Sequence, residues 1–166
     1  IIGEDTVLKQ IEELKTKENL QAVILRINSP GGSYIASDNI RYALENLKKT
    51  KNVPIVVSMA DYAASGGYFI SLAADYVIAE PATLTGSIGV VGGKVVFDKL
   101  WKKLGIKWGE ISFGDNAGIL SLNHKFNAKE KEAFNKSLDR VYADFTQKVS
   151  QRRGFDDKKI IFCEIH

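Results

Sequence analysis

The 166-residue chain has too few cysteines and histidines for a disulfide framework or a zinc site. It contains one cysteine, Cys163, so no disulfide can form within the chain. Its two histidines, His124 and His166, lie far apart in sequence, and with one cysteine they do not supply the ligands that zinc requires. We therefore expect no metal site and no cofactor.

Long apolar runs and blocks of like charge are also missing. No stretch approaches the ~20 consecutive apolar residues of a membrane-spanning helix, and no signal peptide opens the sequence. The formal net charge is +3, from 23 basic and 20 acidic residues that are spread along the chain. This balance does not indicate nucleic acid as a partner.

The two ends are typical of an excised fragment. "IIGEDTVLKQ" starts in mid-structure without an initiator methionine, and "KKIIFCEIH" stops without a capped helix or a polar tail. We interpret residues 1–166 as a single domain taken from a longer protein.

Apolar runs and helical periodicity alternate along the chain. Continuous apolar runs predict strands over 21–29, 53–60 and 76–80, and "IKWGEIS" (106–112) is compatible with a fourth. Helical spacing predicts helices over 5–15, 34–49, 66–74, 97–105 and 128–152, the last capped by Asn127 and Glu130. A long loop is expected over 81–93. This order predicts an α/β fold with right-handed crossovers and a mostly parallel sheet covered on both faces.

Two strand-to-helix turns have unusual sequences, and ligands of parallel α/β folds gather at such turns. In "NSPGGS", the backbone N–H groups around Gly31 and Gly32 can point at one acceptor, as in an oxyanion site; a tight turn without a ligand is an equal alternative. In "AASGG", Ser65 stands among alanines and glycines, which leave room for another molecule's backbone. Helix capping by Ser65 is the alternative, although a cap does not require four small neighbours.

Other site patterns fail, and a serine nucleophile would need a base. The spacings GxGxxG, GK[ST] and GxSxG are absent at these turns, which disfavours a dinucleotide site, a P-loop and an α/β-hydrolase elbow. Nothing in "SLNHKF" indicates that His124 is a buried triad member. Most lysines fall on predicted helix surfaces, where water keeps them charged.

Three segments together resemble the signal peptide peptidase A family, the S49 serine peptidases. They are "LRINSPGGS", "ADYAASGGYFISLAADYVIAEPATLTGSIGV" and the long helix after a glycine-containing loop, so that the resemblance covers about residues 7–159. It implies a ClpP/crotonase-like fold of repeated ββα units. By motif, Ser65 matches the family's nucleophile, and the N–H groups of Gly32 and Gly66 match its oxyanion donors. Ser87 of "LTGSIG" matches a serine that helps to hold a lysine base, with a turn hydroxyl bonded to local backbone as the equal alternative.

The lysine base itself departs from the family pattern. Short members carry it in a "G-x-x-K" context, which here is "FGDNAG", with Ala117 at the matching position; Lys125 lies too far along. Three explanations compete. The chain is the C-terminal half of a two-repeat member whose N-terminal repeat supplies the lysine, or Ala117 was engineered in place of a lysine, or the protein is a natural pseudoenzyme.

The resemblance implies a serine endopeptidase that degrades signal peptides after their release, with an isolated fragment that is nearly inactive. It also implies peptide substrates, a homo-oligomer, the N-terminal repeat as a partner, and a periplasm-facing domain at the inner membrane whose anchor precedes Ile1. The alternatives are a catalytically incomplete scaffold domain and, less favoured, a crotonase-like acyl-CoA enzyme, which would use acidic residues instead of a serine framed by glycines. Residues 161–166 do not match the family well.

Overall fold

The computed structural model describes residues 3–154, so that the poorly matching residues 161–166 lie outside the described part. Contacts divide the chain into two compact units. Unit one comprises the described residues up to Gly89 together with 144–154, and unit two is Val90–Ala143.

The described elements follow the predicted alternation of strands and helices. The helices are α1 (Glu4–Lys15), α2 (Tyr34–Lys51), α3 (Gly66–Ile70), α4 (Asp98–Lys103) and α5 (Ala128–Arg153), and a 3-10 turn, Ser71–Ala73, follows α3. The strands are β1 (Val23–Ser29), β2 (Ile55–Ala64), β3 (Tyr76–Ile78) and β4 (Leu84–Gly86). Helix α5 supplies residues to both units.

All strand pairings in the described sheet are parallel, which confirms the predicted sheet type. Strand β2 is central and pairs with β1, β3 and β4. Val57 lies opposite Leu25 on β1 and Val77 on β3, so these three side chains share one face. Ala64, the last residue of β2, pairs with Gly86 of β4, and Ser65 follows directly after it.

One face of the sheet holds the core of unit one, because α1 and α2 both pack on it. Val57 and Ile55 are fully buried there, and Leu44 and Leu47 of α2 cover them. Burial of each such side chain contributes about 1.5–3 kcal/mol relative to exposure. A second cluster joins α3 to the end of α5; its buried members are Phe69, Leu72, Phe145 and Val149.

The opposite face of the sheet is open, so the prediction that both faces are covered is wrong for the described residues. Ile24 is 75 % exposed and Tyr76 is 68 % exposed, and both point away from α1 and α2. Helix α2, which connects β1 to β2, and helix α1, which precedes β1, pack on the same side of the sheet. The sequence predicted apolar strands correctly, but it could not indicate which face each crossover covers.

Two predictions near the middle of the chain, an uninterrupted loop over 81–93 and a fourth strand over 106–112, are wrong. Residues 84–86 form β4 inside the predicted loop 81–93, and residues 106–112 contain no strand. Short strands leave a weak sequence signal because three residues show no clear alternation. The run 106–112 has no neighbouring strand to pair with among residues 3–154, although its composition suits one.

Unit two is built around aromatic contacts and the start of α5. Trp101 of α4 lies 5.8 Å from the ring centroids of both Phe97 and Trp108. The capping box that begins α5 is confirmed: the Glu130 N–H donates to Asn127 Oδ1, and the Asn127 N–H donates to Glu130 Oε2, both at 2.9 Å.

An ion-pair cluster around Asp75 ties the start of β2 to α2 and α5. Asp75 accepts the Ile55 N–H at 2.9 Å and pairs with Lys48 and Arg152. Burial alone would raise the pKa of Asp75, but the hydrogen bonds from Lys48 and Ile55 and the charges of Lys48 and Arg152 outweigh it and hold the pKa below its ordinary value.

We expect Asp75 to make stability depend on acid pH. Because its folded pKa is depressed, the carboxylate stabilises the protein above its unfolded pKa, and this stabilisation is lost as pH falls through the folded pKa. Lowering pH from about 7 to about 3 should therefore reduce the unfolding free energy of the wild type more than that of Asp75→Asn. Urea denaturation at matched pH measures both. Equal losses of unfolding free energy between the two pH values for the wild type and Asp75→Asn would contradict the assignment.

Candidate active site

Ser65 occupies a strained turn between β2 and α3. Its backbone has φ 50° and ψ −119°, in a region that few residues other than glycine adopt. The turn is held from one side, since the Ser65 N–H donates to the Gly86 carbonyl at 2.9 Å. A conformation of this kind costs on the order of 1–3 kcal/mol and persists only where its surroundings impose it. Although the chain lacks the GxSxG motif, Ser65 lies in a sharp strand-to-helix turn of the kind that this motif forms in α/β-hydrolases.

The hydroxyl of Ser65 is free. The side chain is half-buried, it does not cap α3, and its Oγ makes no hydrogen bond within residues 3–154. The alternative that Ser65 acts as a helix cap is therefore wrong. A reachable hydroxyl without a structural partner is available to another molecule.

The turn between β1 and α2 is organised by its own serines. Ser29 Oγ accepts the Gly31 N–H at 3.2 Å, and Ser33 Oγ accepts the Ala36 N–H at 3.4 Å and so caps α2. The next amide, that of Gly32, donates no hydrogen bond in the described part of the chain. This amide is therefore available to an acceptor outside the turn.

The two turns meet at Ser65. A methyl group built on Gly31, whose φ is +120°, would lie 2.7 Å from Ser65 Cβ and 3.1 Å from both Ser65 Oγ and the Gly66 nitrogen. A methyl group on Gly66 would lie 3.3 Å from the Gly32 nitrogen. The contact with Ser65 Cβ and the positive φ exclude a side chain at Gly31, and a methyl group on Gly66 would press on the Gly32 amide. The fold thus brings the amides of Gly32 and Gly66 together beside the serine; their role as oxyanion donors stays a prediction.

A third close approach fixes the start of α3 against β1. A methyl group on Gly67 would lie 2.8 Å from the Ser29 carbonyl oxygen. Gly66 and Gly67 are both buried, so the small residues of "ASGG" serve packing between the turns as well as access. Their position beside Ser65 depends on this packing.

Ser87 lies next to the strand that supports Ser65. It follows Gly86, has φ 48° and is exposed. Its hydroxyl makes no hydrogen bond in the described region, so the alternative of a turn hydroxyl bonded to local backbone is wrong. Thr85, two residues earlier, is the residue that bonds backbone here, to the Ala63 carbonyl at 2.9 Å. A role for Ser87 beside a lysine stays a prediction.

A cavity of about 630 Å³ opens beside the two glycine turns. Its apolar lining comes from α1, β1, α2 and α3 and includes Val7, Leu25, Ile27, Ile40 and Ile70. The volume lies in the range of small-ligand sites, and the apolar lining favours apolar groups. The backbones of Gly32 and Gly66 form part of its wall.

No base contacts Ser65 in the part of the chain that the structure describes. His124 and Ala117 both belong to unit two, where His124 Nδ1 lies 2.8 Å from the Lys125 carbonyl and 3.7 Å from the Glu130 carboxylate.

Among the described residues, no group of three or more Asp, Glu, His or Cys is placed to hold a metal ion. None of the described helices combines the length and the apolarity needed to cross a membrane.

The structure adds two residues, Ser29 and Ser37, that sequence reasoning did not single out as parts of the site, and it gives Gly31 a direct contact with Ser65. Ser29 holds the Gly31 amide, and the buried Ser37 lies against Gly66. Only Ser37 had a usable signal, because it shares the helical spacing of the buried Ile40 and Leu44.

Comparison with known proteins identifies the family. A sequence model described as "Peptidase family S49" matches residues 47–161, which is more than half of the chain. The chain belongs to peptidase family S49. A second model, "Clp protease", matches residues 3–84. The family assignment goes against the crotonase-like acyl-CoA alternative.

The S49 chain is similar to curated proteases over nearly all its length. It is 37 % identical to "Serine protease SPPA, chloroplastic" of Arabidopsis thaliana over 96 % of the chain and 23 % of that protein. It is also 37 % identical to "Protease 4" of Haemophilus influenzae over 95 % of the chain and 25 % of that protein. The S49 chain thus spans about a quarter of the length of these relatives.

A solved structure supports the fold. A point mutant of ClpP1 from Listeria monocytogenes matches with a TM-score of 0.57 and 19 % identity, over 95 % of the S49 chain and 68 % of the ClpP1 chain. The predicted ClpP-like α/β fold with a parallel sheet is therefore confirmed.

Proposed function

We propose that Ser65 is the nucleophile of a serine peptidase and that the N–H groups of Gly32 and Gly66 bind the oxyanion. The observation that carries this proposal is the free Ser65 hydroxyl, held at positive φ where the two glycine turns meet. Strained backbone with unpaired amides beside it is the arrangement that acyl transfer needs. Ser87, next to the residue that holds the Ser65 N–H, is proposed to help hold the lysine base.

The proposed reaction proceeds through an acyl-enzyme. A neutral lysine accepts the proton of Ser65 Oγ as this oxygen attacks the peptide carbonyl carbon. The resulting oxyanion accepts hydrogen bonds from Gly32 and Gly66, each donor contributing about 3 kcal/mol. The protonated lysine then gives its proton to the leaving amine as the C–N bond breaks, and water hydrolyses the acyl-enzyme by the same route.

The lysine is proposed to come from outside this chain. Ala117 stands where the short family members carry lysine, and no base contacts Ser65 within residues 3–154. We propose that residues 1–166 are a single domain forming the C-terminal half of a longer two-repeat peptidase whose N-terminal repeat supplies the base. The isolated chain should then be nearly inactive.

The substrates are proposed to be apolar peptides, in particular signal peptides after their release. The apolar cavity beside the glycine turns suits the side chains of their hydrophobic regions. The names of the two relatives support protease activity in general. We also propose that the protein forms a homo-oligomer at the inner membrane and faces the periplasm.

A catalytically incomplete scaffold domain is the second candidate, because Ser65 has no base among the described residues and Ala117 replaces the expected lysine. This alternative also covers loss or engineered replacement of the lysine. The scaffold alternative would be favoured if the complete protein carrying Ser65→Ala still functioned in cells.

A fluorophosphonate probe tests the nucleophile. We expect the complete protein to gain one adduct, which peptide mapping by mass spectrometry places on Ser65, and the isolated chain to react far more slowly. The exposed Ser112→Ala variant should label like the wild type. An adduct on another serine, or no adduct on the complete protein, would exclude the proposal. Rapid labelling and peptide hydrolysis by the isolated chain, both lost in Ser65→Ala, would show instead that the base is local.

A further inference from the structure

Ser37 is buried beside the two glycine turns. It is 6 % exposed and sits in α2, one helical turn after Ser33. Its Oγ donates to the Ser33 carbonyl at 2.9 Å, and its backbone N–H donates to the same oxygen at 3.0 Å. Ser37 is thereby bonded to the turn that carries Gly32.

The other side of Ser37 contacts the second turn. A methyl group built on Gly66 would overlap Ser37 Oγ and would lie 3.5 Å from Ser37 Cβ. The same methyl group would lie 3.3 Å from the Gly32 nitrogen. The Ser37 side chain therefore packs on the backbone of Gly66 while its hydroxyl bonds the turn that carries Gly32.

We propose that Ser37 is a positioning residue that sets the distance between the Gly32 and Gly66 amides. This inference rests on the proposed function, since it assigns Ser37 a role in that same oxyanion site. Donors in such a site act only when they are held within about 0.5 Å of the productive geometry. The hydroxyl of Ser37 fills the space against Gly66 and donates to the Ser33 carbonyl, so its removal leaves a gap between the two turns, while the Ser37 N–H still holds the Ser33 carbonyl.

A purely structural role is the competing explanation. Serine hydroxyls within helices often bond the carbonyl four residues earlier without any function. Ser71 provides a matched control, because it is fully buried and its Oγ donates to the Tyr68 carbonyl at 2.6 Å. Replacing either serine by alanine removes one buried hydroxyl from a helical segment of unit one.

Peptide hydrolysis by the complete protein separates the two roles. We expect Ser37→Ala to lower kcat about 10–100-fold with KM changed less than about twofold, because oxyanion donors act mainly in the transition state. Ser71→Ala should lower the melting temperature to a similar extent and leave kcat within about twofold of the wild type. If Ser37→Ala lowers the melting temperature but leaves kcat unchanged, Ser37 is structural and the inference is overturned.

A stability cycle tests the contact without any activity. We expect Gly66→Ala to lower the melting temperature strongly, because its methyl group overlaps Ser37 Oγ. Adding Ser37→Ala should restore part of the loss, since the 3.5 Å separation from Ser37 Cβ is an ordinary contact and only the tighter 3.3 Å contact with the Gly32 nitrogen remains. Purely additive losses would show that the two residues do not touch, and so overturn the inference. If Ser65→Ala left hydrolysis unchanged, the proposed function would fail, and the cycle would still report on the contact.

Discussion

Replacement of Ser65 by alanine is expected to lower kcat for peptide hydrolysis by the complete protein at least about 10⁴-fold, because the covalent step is lost. The variant should fold normally. Alanine removes only a hydroxyl that makes no hydrogen bond within residues 3–154, while the positive φ is already imposed by the surrounding turns. Steady-state hydrolysis of an apolar peptide, with circular dichroism as a check of folding, measures both expectations.

Ser112→Ala is the matched control for this loss. Ser112 is exposed and makes no hydrogen bond in the described part of the chain, so its replacement should leave kcat within about twofold of the wild type. A folded Ser65→Ala protein that retains more than about a tenth of the wild-type kcat would exclude Ser65 as the nucleophile.

Replacement of Phe69 by alanine is expected to cost about 3–5 kcal/mol of unfolding free energy. Phe69 is 1 % exposed, and its ring packs edge-on against Tyr34 at 5.4 Å and Phe145 at 4.8 Å. The ring fills the space between α3, α2 and the end of α5, so its removal leaves a cavity that these helices cannot close without moving. Equilibrium urea denaturation measures the change.

Phe113→Ala makes the same chemical change without the cavity. Its ring is fully exposed, so we expect an effect within about 0.5 kcal/mol. Similar losses of unfolding free energy for the two variants would show that burial of the Phe69 ring does not stabilise this cluster. Because Phe69 lies one helical turn after Ser65, Phe69→Ala should also loosen the turn that holds the nucleophile.

A network of polar side chains joins α2 to α5 beside Phe69. Tyr34 donates to Asp144, and Lys148 pairs with the same carboxylate. Burial would raise the pKa of Asp144, but the hydrogen bonds from Lys148 and Tyr34 lower it overall. Burial and the bond to Asp144 raise the pKa of Tyr34. The Asp144 carboxylate therefore stays ionised and the Tyr34 hydroxyl stays protonated around neutral pH, which keeps their hydrogen bond.

The sequence by itself determined the fold class, most of the elements and the candidate residues of the site. Uninterrupted apolar runs of this length are best buried as strands, and the 3.6-residue period buries one side of a helix, so β1, β2, α2 and α5 were predictable locally. The capping box of Asn127 and Glu130 was predictable for the same reason, since both partners lie within one helical turn. The small residues around Ser65 and Gly32 indicated the two turns from the sequence alone.

Only the tertiary structure decided how these parts meet. The sequence did not place Gly31 against Ser65 or Ser37 against Gly66, because both contacts join segments about 30 residues apart. Strand β4 exists because β2 is long enough to pair with it, while residues 106–112 have no strand beside them in the described part of the chain. Local sequence sets which conformations a segment prefers; the free energy of packing distant segments sets which of them is adopted, and at Ser65 that packing imposes a positive φ that the serine alone would avoid.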